Sequence, residues 1–130
     1  MPPAPSKLYE KSAMSKIFNK IKGNAAENKA VKYLKKQGYK IIDRNYRCPL
    51  GEIDIVAEDS GILVFIEVKY RANDDFGSPL EAVTKTKQNR IITAAKFYLV
   101  KKEITNTICR FDCVEVTEGE INHIVSAFTR

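Results

Sequence analysis

Long apolar runs are missing from this chain of 130 residues. No stretch of about 18 such residues exists, so no transmembrane helix and no membrane partner are expected. The opening Met1-Pro2-Pro3-Ala4-Pro5 lacks the apolar segment of a secretory signal. Cysteine is scarce: Cys48, Cys109 and Cys113 are odd in number and form no C-x-x-C pair. Structural disulfides are therefore not expected, and a reduced, cytoplasmic protein is the simplest reading. Histidine is scarcer still. With His123 alone, a dedicated zinc site is not expected.

What is present suits one domain, since 44% of the residues are hydrophobic and 29% charged. A chain of this length buries roughly two-thirds of its unfolded surface. The formal charge of +6 is unevenly spread. Residues 1–47 hold twelve Lys/Arg against three Asp/Glu, whereas residues 48–130 hold ten against thirteen. A basic front half suits a polyanion such as DNA, or RNA as the other polyanion this charge admits. Lysines that merely solvate helix faces account for the same numbers equally well.

Residues 1–22 read as a basic N-terminal extension, with Ile17, Phe18 and Ile21 at helical spacing but in a segment too short to hold itself together in water. The domain proper, residues 23–130, opens with a helix from about Asn24, its expected cap, to Gln37, with Gly38 at a left-handed stop. Ala30, Val31 and Leu34 form the apolar stripe, and Glu27 lies on that stripe rather than on the lysine-rich face. An acid in a first turn is also favoured by helix polarity, so the two readings of Glu27 stand level.

Three strands follow, centred on Ile41-Ile42, on Gly51-Glu52-Ile53-Asp54-Ile55-Val56-Ala57 and on Leu63-Val64-Phe65-Ile66-Glu67-Val68-Lys69. Cys48-Pro49-Leu50-Gly51 and Asp59-Ser60-Gly61 have turn composition, which predicts an antiparallel meander. The loop Ala72–Gly77 is polar and precedes a capping box, Ser78-Pro79-Leu80-Glu81, which predicts a second helix to about Val100. Its stripe reads Leu80, Thr84, Lys87, Ile91, Ala94 and Tyr98, with Lys87 either a cation on a packed face or a snorkelling side chain. Ile108–Val116 and Ile121–Phe128 close the order α-β-β-β-α-β-β, a mixed central sheet flanked by helices. No internal repeat is visible.

Asp54 stands in an almost wholly apolar strand, where an unpaired carboxylate costs several kcal/mol. Period-2 geometry puts Glu67 and Lys69 on one face of the next strand. Carboxylates from adjacent strands, with the Val68 carbonyl, are hard oxygen donors of the kind that hold Mg²⁺ or Mn²⁺. Lys69 could assist an attacking water or neutralise charge on a phosphate. The plainer alternative is structural: a Glu67–Lys69 salt bridge, and Asp54 paired with Lys69, Arg47 or Arg71. Asp112 reads as a support for the core or for Arg110, and His123 as a surface or packing residue.

Gly23, Glu27, Ala30, Leu34, Gly38, Asn45, Arg47, Gly51–Val56, Phe65–Lys69 and Arg71, continued through Ala82-Val83, Lys87, Gln88, Arg90 and Arg110-Phe111-Asp112, resemble the YraN-like family of small bacterial proteins. That family is distantly related to Holliday junction resolvases within the PD-(D/E)xK nuclease superfamily. The resemblance implies a restriction-endonuclease-like α/β core and divalent-metal-dependent hydrolysis of DNA, with branched DNA a candidate substrate in the manner of the resolvases. It maps the signature acids to Asp54 and Glu67, the lysine to Lys69, the helical acid to Glu27, and the polar residue after the second helix to Lys87 or Gln88. The metal set is then Asp54, Glu67, Val68 and Glu27, and the substrate contacts are Asn45, Arg47, Arg71, Lys87, Gln88 and Arg90. A homodimer is expected if the resolvase comparison holds. The rival expectation is a nucleic-acid-binding module that keeps the fold without catalysis.

Overall fold

A computed structural model describes residues 7–71 and 83–129, without the side chains of 7–16 and 18–22. The elements are α1 (Lys7–Lys36), β1 (Lys40–Cys48), β2 (Gly51–Asp59), β3 (Ile62–Tyr70), α2 (Lys85–Lys101), β4 (Cys109–Val116) and β5 (Ile121–Phe128). The five strands form one sheet in chain order. All neighbours are antiparallel except β3 and β4, whose parallel pairing requires the crossover that carries α2.

One helix covers each face. Ala26, Ala30, Val31 and Leu34 of α1 pack on Ile55, Ala57, Val64, Ile66, Val114 and Val116. Ile91, Ile92, Ala94, Ala95 and Tyr98 of α2 pack on Ile53, Val56, Phe65, Phe111 and Cys113. Burial on both faces explains why β2, β3 and β4 read as nearly continuous apolar runs rather than alternating ones.

Two helix boundaries differ from the expected ones. α1 runs through Gly23 and Asn24 and reaches back to Lys7, so Asn24 is an exposed mid-helix residue and not a cap. A Cβ at Gly23 would meet nothing within 4 Å, so this turn faces open space and carries no packing that would end the helix. The other end is as expected. Gly38 (φ +93) is in the left-handed region, with Gly38 N–H donating to the Lys35 carbonyl and Tyr39 N–H to the Leu34 carbonyl, a Schellman stop. α2 begins at Lys85 behind Thr84, whose hydroxyl accepts from the Lys87 N–H. The box at Ser78–Glu81, the stripe residue Leu80 and the loop Ala72–Gly77 lie outside the described residues.

The meander turns as its composition predicts. Ser60 (φ 50) and Gly61 (φ 88) make the two-residue hairpin between β2 and β3, both left-handed. Gly51 is held differently: a Cβ there would sit 2.7 Å from the Arg90 carbonyl oxygen. Only a glycine lets the start of β2 pass this close to α2, and that contact fixes α2 over the end of the sheet that bears Asp54.

Candidate active site

Residues two apart in a regular strand share a face, yet Ile53 packs under α2 and Ile55 under α1. The paired strand does the same: Tyr46 packs under α2, while Arg44 reaches Glu27 on α1. Between these pairs lie Asp54 and Asn45, and Asn45 is in the left-handed region at φ 53. Asparagine tolerates that region better than any other residue with a Cβ except aspartate. The alternation of both strands thus breaks at one level, and Asp54 sits at the break.

The ladder between β2 and β3 also opens there. Its last paired residues are Ile55 and Ile66. Beyond them the Asp54 side chain replaces the backbone, with Oδ2 accepting from the Val68 N–H at 2.8 Å. Glu67, only 4% exposed, is the neighbouring acid. Burial, the Glu67 charge and a proton-sharing contact with Glu67 outweigh the Val68 N–H and push the Asp54 carboxyl up to about 8. Two carboxylates are therefore held together, and Asp54 keeps its proton more readily than a free carboxyl does.

What positive charge there is comes from α2. Lys87 Nζ lies 2.5 Å from Glu67 Oε1. Burial opposes its ammonium, but the Glu67 bond and the Glu67 and Asp54 charges hold its pKa above the usual lysine value. The structural alternative for the strand acids is thereby corrected. Lys69 makes no hydrogen bond or ion pair among the described residues, Arg47 pairs with Glu52 at 3.4 Å, and Arg71 pairs with Glu115 at 2.8 Å. None of the three cations neutralises Asp54. Strand alternation puts Glu67 on the face of Phe65, under α2, and Lys69 stands opposite Glu115 in the β4 register.

Glu27 reaches the same region from α1 and is buried at 6% exposure. Its charge adds to the upward pressure on Asp54. Its Oε1 accepts from Arg44 Nε at 3.2 Å and from Asn45 Nδ2 at 3.0 Å. Arg44 Nη2 also donates to Asn28 Oδ1 at 2.6 Å. Asn45 thus meets an acid in the site. Among the described residues no group of three or more His, Cys, Asp or Glu is close enough to hold one metal ion. The donor set that remains is the Asp54–Glu67 pair. That pair fits Mg²⁺, which is typically held by one or two carboxylates and completes its shell with water and phosphate oxygens.

The remaining expected contacts are spread along one side. An open groove of about 810 Å³ runs between the β1–β2 turn and α2, lined among others by Cys48, Leu50, Glu52, Thr86, Lys87 and Arg90. Arg90 has no ion pair among the described residues. Gln88 turns away from the groove and donates to the Val83 carbonyl, so it shapes the entry to α2. Cys113 is buried beside Glu115 and Glu67, which pushes its thiol up to about 12 and leaves it inert.

Sequence reasoning missed Arg44, Glu115 and Asn122. Glu115 is fully buried and accepts from Arg71 and from Asn122 Nδ2. The signal for it was available: an acid inside an apolar strand, the same that singled out Asp54. Arg44 carries no such signal, because its role depends on how β1 crosses α1.

Residues 26–116 match the family described as "Uncharacterised protein family UPF0102". A UPF0102 protein of Lachnoclostridium phytofermentans is 52% identical over 110 residues, which cover 84% of this chain and 93% of that one. One from Persephonella marina is 43% identical over 112 residues, covering 86% and 97%. One from Hahella chejuensis is 52% identical over 92 residues, covering 71% and 74%.

Proposed function

The chain belongs to the uncharacterised protein family UPF0102, in agreement with its YraN-like resemblance, and from its site we propose a metal-dependent endonuclease that hydrolyses phosphodiester bonds in DNA, with branched or otherwise structured DNA as substrate. The observation that carries this reading is the carboxylate pair Asp54 and Glu67 at the opening between β2 and β3, with Lys87 on Glu67 and with Lys69, on the same strand, making no ion pair among the described residues. Buried acids in a structural role are neutralised by their neighbours; these two are left short of positive charge beside an open groove.

In this reading Asp54 and Glu67 hold a divalent cation, Mg²⁺ or Mn²⁺, which when bound would supply charge stabilisation at the phosphate. The Val68 N–H fixes the orientation of Asp54. Glu27, oriented by Arg44 and Asn45, keeps the local field negative and holds water at the rim. Lys69, which makes no ion pair among the described residues, orients or deprotonates a water or meets a phosphate oxygen. Lys87 and Arg90 present positive charge along the groove for the phosphodiester backbone.

Cleavage of plasmid and four-way-junction DNA with Mg²⁺ or Mn²⁺ tests the proposal against Asp54→Ala. Wild type is expected to cut and the variant to fail. Equal trace activity in both sinks the enzyme assignment. Salt-dependent DNA binding that survives the substitution, without metal-dependent cutting in either protein, would support the non-catalytic module instead.

A further inference from the structure

Lys87 has two surroundings at once. Its ammonium lies on Glu67 Oε1, and its side chain, 49% exposed, also lines the open groove with Thr84, Thr86 and Arg90. The cation that serves the buried Asp112 is held more firmly. Arg110 is 15% exposed and makes side-chain bonds to Asp112, Asp59 and Tyr39. Among the described residues the Lys87 ammonium has one bond, to one oxygen, at the end of a flexible four-carbon stem. The first turn of α2 contains no acid that would hold it elsewhere.

We infer that Lys87 is a displaceable counter-ion of the Asp54–Glu67 pair, which occupies the cation position until a polyanion in the groove draws it away. The inference rests on the proposed reading of that pair as a divalent-cation site. Lys87 and the metal compete for the same Glu67 oxygen. A phosphate in the groove offers the ammonium a second partner within the sweep of its stem, beside Arg90. Metal and nucleic acid therefore bind with positive coupling, and by linkage each tightens the other equally. In the absence of polyanion Lys87 stays on Glu67 and the pair holds metal weakly.

The test is calorimetric titration of the full chain with Mn²⁺ in mildly alkaline buffer, comparing wild type with Lys87→Gln. Removing a charge-assisted competitor is expected to tighten Mn²⁺ binding by about tenfold or more. Lys87→Arg preserves the charge and adds a second donor to Glu67, so it is expected to bind Mn²⁺ more weakly than wild type. In a second arm, Ca²⁺ replaces Mn²⁺ and a short DNA duplex is added. The duplex is expected to tighten Ca²⁺ binding to wild type by roughly fivefold or more and to leave Lys87→Gln nearly unchanged. Mn²⁺ affinity in Lys87→Gln that is equal to or below wild type, or undetectable in both, overturns the proposal. So does equal or tighter binding by Lys87→Arg. A wild type that shows the coupling yet cuts no DNA would overturn the nuclease reading alone.

Discussion

Two aspartates, Asp54 half-buried and Asp112 fully buried, stand in the same sheet and are treated in opposite ways. Asp112 on β4 is fully buried, and its carboxylate receives Arg110 Nε at 2.9 Å, His123 Nε2 at 2.8 Å and the Ser126 N–H at 3.0 Å. Burial alone would raise its pKa, but these bonds outweigh it and hold Asp112 below the usual carboxylate range. Tyr33 and Tyr39 extend the network through His123 and Arg110. Asp54 on β2 has one backbone N–H and a second acid, and its pKa is pushed up to about 8. The same residue type, in strands of one sheet, is neutralised in the first place and left short in the second. A complete set of donors makes Asp112 a structural joint between β4, β5 and α1, whereas Asp54 has the Val68 N–H as its donor among the described residues.

Substituting each acid should therefore separate activity from stability. Asp54→Ala is expected to lower DNA cleavage by at least about 10³-fold, the several kcal/mol that a cation at a phosphate supplies, while the protein melts at or above the wild-type temperature. Asp112→Ala is expected to do the reverse. It strands Arg110 and His123 without their carboxylate and should cost roughly 3–5 kcal/mol, a drop of about 10–20 °C in Tm by calorimetry, with cleavage retained at temperatures where the variant is folded. If Asp112→Ala melts like wild type while losing cleavage, the assignment of the two regions is inverted.

Proton linkage sharpens the contrast by a smaller amount. The folded state raises Asp54 from 3.8 to about 8, so between those values it binds a proton that the unfolded chain releases. Stability from this group is present at low pH and is lost as pH rises through that window. Asp54→Asn cannot titrate. It is expected to be more stable than wild type near pH 8, by about 1–2 kcal/mol or roughly 3–8 °C, and to lose that advantage near pH 4. Asp112 has the opposite sign, because its folded pKa is lowered; its contribution is present above 3.8 and fades only below that value. Melting curves across pH for Asp54→Asn and wild type check the first statement, and parallel curves would refute it.

The comparison also marks what the sequence could convey. Strand positions, the two hairpin turns, the stop at Gly38 and the placing of Glu27, Asp54 and Glu67 as acids among apolar residues were legible, because each depends on periodicity or on turn composition. Which cation meets which acid was not. Glu67 pairs with Lys87 and not Lys69 because Gly51 lets α2 approach the sheet, a three-dimensional fact with no local pattern. An acid in an apolar strand marks Asp54, Asp112 and the overlooked Glu115 alike, and that pattern alone does not say which cation each one meets. His123 reads as a surface or packing residue yet is only 8% exposed and bound to Asp112, since its partner lies on another strand. The start of α1 was misplaced because asparagine caps helices but also stands on their exposed faces, as Asn24 does.

The smallest expected effect concerns Asn45, which links the strand break to Glu27. It contributes in two separable ways: its left-handed φ of 53 sets the break in alternation, and its Nδ2 donates to Glu27 Oε1 at 3.0 Å. Asn45→Gly keeps the backbone freedom and removes only the side-chain bond, worth about 1 kcal/mol or somewhat less given that Arg44 still reaches the same oxygen. Asn45→Ala removes the bond and also places a Cβ in the left-handed region, an added cost of roughly 1 kcal/mol. Chemical denaturation is therefore expected to rank wild type above Asn45→Gly and Asn45→Gly above Asn45→Ala, in two steps of similar size. A single step shared by both variants would mean that the bond to Glu27 alone matters. The break that carries Asp54 would then be held by β2 itself and not by its partner strand.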